Sequence, residues 1–137
     1  TILTADTLEK LADITEPQIW LVLTEAWCGD AAQVVPVMNK LAEANPNIIL
    51  RFILRDENPA VMDAFLTNGT RSIPKLIAIN PDTLEVFATW GPRPQVLQDI
   101  LMPQLQEIKQ IQDPELRKQR MDEWKTLAQS WYNKDKT

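Results

Sequence analysis

The chain has 137 residues, enough for one domain with an ordinary hydrophobic core, and its 45% hydrophobic and 24% charged residues suit a soluble globular protein. A net charge of −5 argues against nucleic acid or an anionic membrane as partner, because both reward basic surfaces. One cysteine and no histidine exclude an internal disulfide framework, a His- or Cys-based zinc site and any triad with a histidine base, so neither a metal nor another cofactor is expected.

Nothing in the chain reaches the roughly 18 uninterrupted apolar residues that would suggest a membrane span. Thr1-Ile2-Leu3-Thr4 lacks the basic and apolar regions of a signal peptide. The first residue is not Met, which leaves room for an upstream segment carrying an address.

Asp6 to Asp13 reads as a short helix with Leu8, Leu11 and Ala12 on one face. Gln18 to Thr24 is a near-continuous apolar run of strand length, as expected of a buried central strand. From Gly29 the pattern turns helical, with Val34, Val35, Val37, Met38, Leu41 and Ala42 recurring until Asn45-Pro46-Asn47 stops it. Ile48 to Leu54 is a second strand. Asp56-Glu57-Asn58-Pro59 then turns into a helix with Val61, Met62, Phe65 and Leu66 on its apolar face, ended by Asn68-Gly69. Lys75 to Asn80 and Leu84 to Trp90 form an antiparallel hairpin about the turn signal Asn80-Pro81-Asp82.

Gly91-Pro92-Arg93-Pro94 opens a long helix to about Ile111, and Asp113-Pro114 caps a last one. That last helix carries Trp124, Leu127, Ala128 and Trp131 as an apolar stripe, an intramolecular packing face that leaves a dimer contact open. The tail from Lys134 to Thr137 is polar and expected to fray. Two parallel strands joined by a helical crossover, followed by a hairpin, predict an α/β fold with a mixed sheet covered by helices.

The chemistry concentrates in Trp27-Cys28-Gly29-Asp30-Ala31, where a strand ends and a helix begins. Free N–H groups and the positive end of the helix dipole meet there and favour a thiolate. Gly29 would keep a side chain off the sulfur. The plain alternative is an inert buried cysteine. Asp30 suits a first helical turn, while its charge close to Cys28 would oppose a thiolate. Glu25 reads as a rim residue with no catalytic role.

Further along stand Pro36, eight residues beyond Cys28, the Asp56-Glu57-Asn58-Pro59 turn, the segment Gly69-Thr70-Arg71-Ser72-Ile73-Pro74, and Gly91. With the Trp27–Ala31 motif these five features, in register, resemble the thioredoxin family. There they are the WCGPC motif, a helix-kinking proline, a DxNP turn, a cis-proline and a groove glycine. The resemblance implies a thioredoxin fold, a central mixed sheet flanked by helices, with its core at about 16–111 and a helical extension at about 113–133, all one domain. It implies Cys28 as the attacking thiol. Trp27, Gly29, Asp30, Ile73, Pro74 and Gly91 would line the substrate groove, with Ile73 pairing its backbone with the substrate chain.

The departures from the family pattern are as informative. The second cysteine is Ala31, so a mixed disulfide on Cys28 has no internal resolving thiol. The family's buried aspartate and its partner lysine align with Val22 and Phe52, so the charge pair that assists dithiol exchange is gone from both positions.

The resulting expectation is a monothiol redox protein. Cys28 would attack a disulfide-bearing protein or the adduct of a low-molecular-weight thiol, and an external thiol would resolve it, in a reducing cytoplasm. Such a protein would be a monomer or weak dimer. The competing expectation is a binding module that uses the same groove without turnover. Iron–sulfur binding across a dimer, as in monothiol glutaredoxins, finds little support, since Gly29-Asp30-Ala31 replaces the rest of CGFS.

Overall fold

A computed structural model of the chain describes residues 2–134, and the polar tail expected to fray lies largely outside them. Four strands form one sheet in the order β2-β1-β3-β4: β1 (Gln18–Thr24), β2 (Ile48–Leu54), β3 (Lys75–Ile79) and β4 (Val86–Trp90). Strand β1 runs parallel to β2 and antiparallel to β3, and β3 runs antiparallel to β4, which is the predicted mixed sheet. In the β1–β2 register Val22 lies beside Phe52 and Leu23 beside Ile53. Alternation therefore sends Val22 and Phe52 to one face of the sheet and Leu23 to the other.

Helix α1 (Ala5–Ala12) is capped by the Thr4 hydroxyl, which accepts the N–H of Thr7. Helix α2 (Gly29–Ala44) follows β1 and carries Pro36 inside it. It ends at Asn45, whose buried amide donates to the carbonyls of Leu11 at 2.7 Å and Ile14 at 3.1 Å. The residue that stops α2 thus also satisfies the C-terminal end of α1, as a buried polar group must.

Helix α3 (Pro59–Ala64) is shorter than the sequence predicts. It stops at Ala64, and Asn68-Gly69 does not end it. Instead Asn68 (φ 51°) and Gly69 (φ 76°) sit at the centre of a tight turn in which Thr67 and Thr70 exchange N–H···O bonds of 2.9 and 3.0 Å. Two consecutive positive φ values characterise a type I′ hairpin turn, whereas a helix terminator needs one.

The β3–β4 connection also differs. Leu84 takes a left-handed conformation (φ 59°), so β4 begins at Val86 rather than Leu84. The turn closes from Asn80 to Glu85, with Asn80 N–H donating to the Glu85 carbonyl at 2.9 Å.

The chain divides into two compact units, Thr1–Pro92 and Arg93–Thr137. The division falls inside the stretch 16–111 expected to form one core, because each unit packs around its own residues. In the first, Leu23, Ile77 and Met62 pack with Cys28, Ala31 and Ile73, so the predicted site caps the core itself. In the second, helices α4 (Gln95–Lys109) and α5 (Pro114–Lys134) pack Leu97, Leu101 and Ile108 against Trp124 and Ala128. Asp113 caps α5 through the N–H of Glu115 at 3.1 Å. Trp124 anchors the pair, its indole N–H donating to the Leu101 carbonyl at 3.0 Å while the Arg93 guanidinium stacks 5.2 Å from its ring. Leu127, placed on the same stripe by the sequence, is exposed. Among the described residues no helix is long and apolar enough to cross a membrane.

Candidate functional site

Cys28 is the N-cap of α2, with the extended backbone (φ −77°, ψ 119°) that position requires. Its Sγ accepts the N–H of Ala31 at 3.4 Å, as a serine or aspartate oxygen would at a helix start. The same thiol donates to the carbonyl of Ile73 at 3.5 Å. These two contacts hold the sulfur between the first turn of a helix and the segment before Pro74. Cys28 is 9% exposed, so one edge of the residue reaches solvent.

The other predicted groove residues are placed as follows. The Ile73–Pro74 peptide is cis, and both residues are buried. Gly91 follows β4 at φ 123° and packs on this segment: a Cβ there would collide with the Pro74 carbonyl oxygen and lie 3.3 Å from Lys75 Cα. Only glycine fits that approach. Trp27, next to Cys28 in the chain, is 66% exposed. Asp30 lies in the first turn of α2, half-buried. Gly29 opens α2 with no positive φ, so its backbone is one any residue adopts. Ile73, Pro74 and Gly91 thus converge with Cys28, while Trp27 and Asp30 flank it.

A cavity of about 420 Å³ adjoins Cys28, its lining including Thr24, Glu25, Ala31, Val35, Phe52 and Leu54. Val22 is 0% exposed in the sheet below, and its neighbour Phe52 is 44% exposed. The region that carries a buried charge pair in the family pattern is therefore an apolar wall.

Several residues near the site carried no recognisable signal in the sequence. Glu25, read as a rim residue, accepts the N–H of Asp56 on its Oε1 at 2.9 Å. Arg55 stacks its guanidinium 5.0 Å from the Trp27 ring centroid. Lys75, directly after Pro74, is buried with its ammonium donating to Thr67 Oγ1 at 3.0 Å, and that burial lowers its pKa from the ordinary lysine value. Gly91–Pro92 is a second cis peptide. A glutamate in a loop, an arginine in a turn and a lysine at the start of a strand are common residues in common places, and only the tertiary contacts distinguish these.

A family model described as thioredoxin matches residues 1–112, which takes in the whole sheet and runs through α4. A curated thioredoxin of Streptomyces coelicolor is 36% identical over 76 residues, covering 55% of this chain and 54% of its own length. Thioredoxin C-3 of Corynebacterium nephridii is 32% identical over 81 residues, covering 59% of this chain and 54% of its own. The chain thus spans about half the length of these curated relatives. Among solved structures, a protein of unknown function from Pseudomonas aeruginosa superposes with a TM-score of 0.64 at 23% identity, covering 79% of this chain and 64% of the other, which is a likeness of fold.

Proposed function

The chain belongs to the thioredoxin family, and on that footing we propose that it is a monothiol redox protein in which Cys28 is the attacking group. The observation that carries this reading is the lodging of the only cysteine, with Sγ at the N-terminus of α2 and 3.5 Å from the Ile73 carbonyl. The thiolate of Cys28 would attack one sulfur of a disulfide R–S–S–R′, forming a Cys28–S–S–R bond and releasing R′–S⁻, which takes up the proton lost from Cys28. With Ala31 in the second position no internal thiol displaces R. An external thiol R″–SH then attacks the R sulfur, returning the Cys28 thiolate and leaving R–S–S–R″. The cycle exchanges disulfides and needs no net oxidant.

In this reading Ile73 pairs its backbone with the substrate chain, Trp27 forms the open wall, and Pro74 and Gly91 hold the segment that Ile73 belongs to. The partner is a disulfide-bearing protein or an adduct of a low-molecular-weight thiol. A lone thiol that must stay reduced suits a reducing compartment such as the cytoplasm.

The near-burial of Cys28 favours a second reading, a groove that binds a partner chain without turnover. One experiment separates the two. The native protein is mixed with oxidised glutathione or a peptide disulfide and followed by intact-mass spectrometry, then treated with a small thiol. The monothiol reading expects a one-to-one adduct on Cys28 that the thiol removes, and none on Cys28→Ser. An unmodified native protein, which reacts only after denaturation, would overturn it in favour of the binding module.

A further inference from the structure

The short 3₁₀ turn Arg55–Glu57, between β2 and α3, touches both the segment before Cys28 and the segment before Ile73. On the Cys28 side, the Arg55 guanidinium lies over the Trp27 ring, and the N–H of Asp56 is held by the Glu25 carboxylate. The Glu25 carbonyl in turn accepts the N–H of Cys28 at 3.2 Å. On the opposite side, Arg55 Nη1 donates to the Arg71 carbonyl at 3.2 Å, two residues before Ile73. Arg71 is itself fixed to α3 by a bidentate pair with Asp63, at 2.7 and 2.9 Å.

The chemistry of a guanidinium explains why one side chain serves both segments. Its in-plane donors reach Asp56 Oδ1 at 3.0 Å through Nε and Arg71 through Nη1, while its flat face remains available to an aromatic ring. The Asp56 contact fixes the plane of the guanidinium and so the direction of the other two. The Arg55 side chain is only 20% exposed, far from the open reach of a surface arginine.

We propose that Arg55 is a positioning residue, bridging Trp27 and the Arg71–Ile73 segment so that the thiol and the substrate-pairing backbone keep a fixed separation. A peptide disulfide must meet Cys28 Sγ and the Ile73 backbone together, so loosening either segment reduces the fraction of productive poses. A small reagent needs the sulfur alone. The chemical consequence rests on the monothiol reading of Cys28, whereas the mechanical linkage does not.

The test compares the parent with Arg55→Gln and the milder Arg55→Lys in three measurements: alkylation of Cys28 by iodoacetamide, mixed-disulfide formation with a short peptide disulfide, and amide hydrogen exchange. For Arg55→Gln the peptide rate is expected to fall about tenfold, the worth of one charge-assisted contact, with alkylation within about twofold of the parent. Exchange should rise both at residues 26–28 and at residues 70–73. Lysine, a point charge without the planar fork, should keep the first segment protected, loosen the second and fail to restore the peptide rate. Peptide and iodoacetamide rates falling together would mean that Arg55 acts on the thiol itself, and would overturn the proposal. So would unchanged exchange in both segments. A parent that forms no mixed disulfide defeats the monothiol reading, and the exchange pattern alone then decides the role of Arg55.

Discussion

Replacing Ala31 by cysteine is the sharpest single perturbation of this site, because it restores only the resolving thiol. The side chain at 31 is buried, but it borders the roughly 420 Å³ cavity beside Cys28, so an added sulfur enters open space and avoids the usual 1–3 kcal/mol of overpacking, to order of magnitude. Cys28 is the N-cap of α2 and residue 31 the third residue of its first turn, so a sulfur at 31 starts from a backbone already in contact with Sγ. The backbone N–H of Ala31 already reaches Sγ at 3.4 Å. Well-oriented intramolecular groups reach effective molarities of about 10⁵ M, whereas an external thiol acts at millimolar concentration, so even a poorly aligned second thiol should speed resolution at least about tenfold. The assay is insulin-disulfide reduction with dithiothreitol, comparing the parent, Ala31→Cys, and Ala31→Cys combined with Cys28→Ser. The parent should barely exceed the reagent blank, Ala31→Cys should turn over, and the double variant should lose the gain. Strong activity in the parent would refute the reasoning, since Ala31 would then be no handicap. A folded Ala31→Cys with no gain would refute it equally, because Cys28 would not be presented as a nucleophile.

Gly91→Ala should destabilise the protein by about 2 kcal/mol or more in chemical denaturation, since a Cβ would strike the Pro74 carbonyl at a φ of 123°; a cost below about 0.5 kcal/mol would mean that the two segments part readily. Burial lowers the folded-state pKa of Lys75, so just below its ordinary value of about 10.4 the unfolded chain binds more protons and stability from this group rises with pH. Lys75→Met should flatten that rise in the range just below about pH 10.4, and an unchanged slope would assign the effect to other groups. Trp124→Phe should cost about 1–2 kcal/mol by losing the bond to the Leu101 carbonyl and weakening the Arg93 stacking, read from the denaturant midpoint.

Periodicity was sufficient for β1, β2 and the start of α2 because burial is repetitive there, with apolar runs in the strands and a helical recurrence from Val34 to Ala42. It was insufficient at Asn68-Gly69 and at Leu84. In both places the outcome depends on which residues adopt positive φ, and a single letter such as Leu84 gives no hint of it. The site divides in the same way. Cys28 is legible as a cysteine at a strand-to-helix junction, and Ile73, Pro74 and Gly91 through the resemblance of their segments to the thioredoxin pattern. Arg55 is not, since its function lies in contacts to Trp27 and Arg71, 28 and 16 positions away, and long-range contacts of a common residue leave no local pattern.

What the chain keeps and what it lacks separate along a chemical line. In the monothiol reading, attack on a disulfide calls for a sulfur at a helix start and a backbone edge to align the substrate, which Cys28 and the Ile73–Pro74 segment packed by Gly91 would supply. Release of the product from within needs a second thiol and a group to carry the proton, and the three positions concerned hold Ala31, Val22 and Phe52. Physical coupling makes the joint loss coherent. An aspartate alone at the fully buried position 22 would be an unpaired buried carboxylate, costing several kcal/mol to ionise, about 3 or more, unless a partner lysine faced it from β2. Once no proton has to be passed between two cysteines, apolar side chains at 22 and 52 are the cheaper solution. Restoring aspartate at position 22 without a cation at position 52 should therefore weaken the fold at neutral pH and leave the reductase activity of Ala31→Cys unimproved.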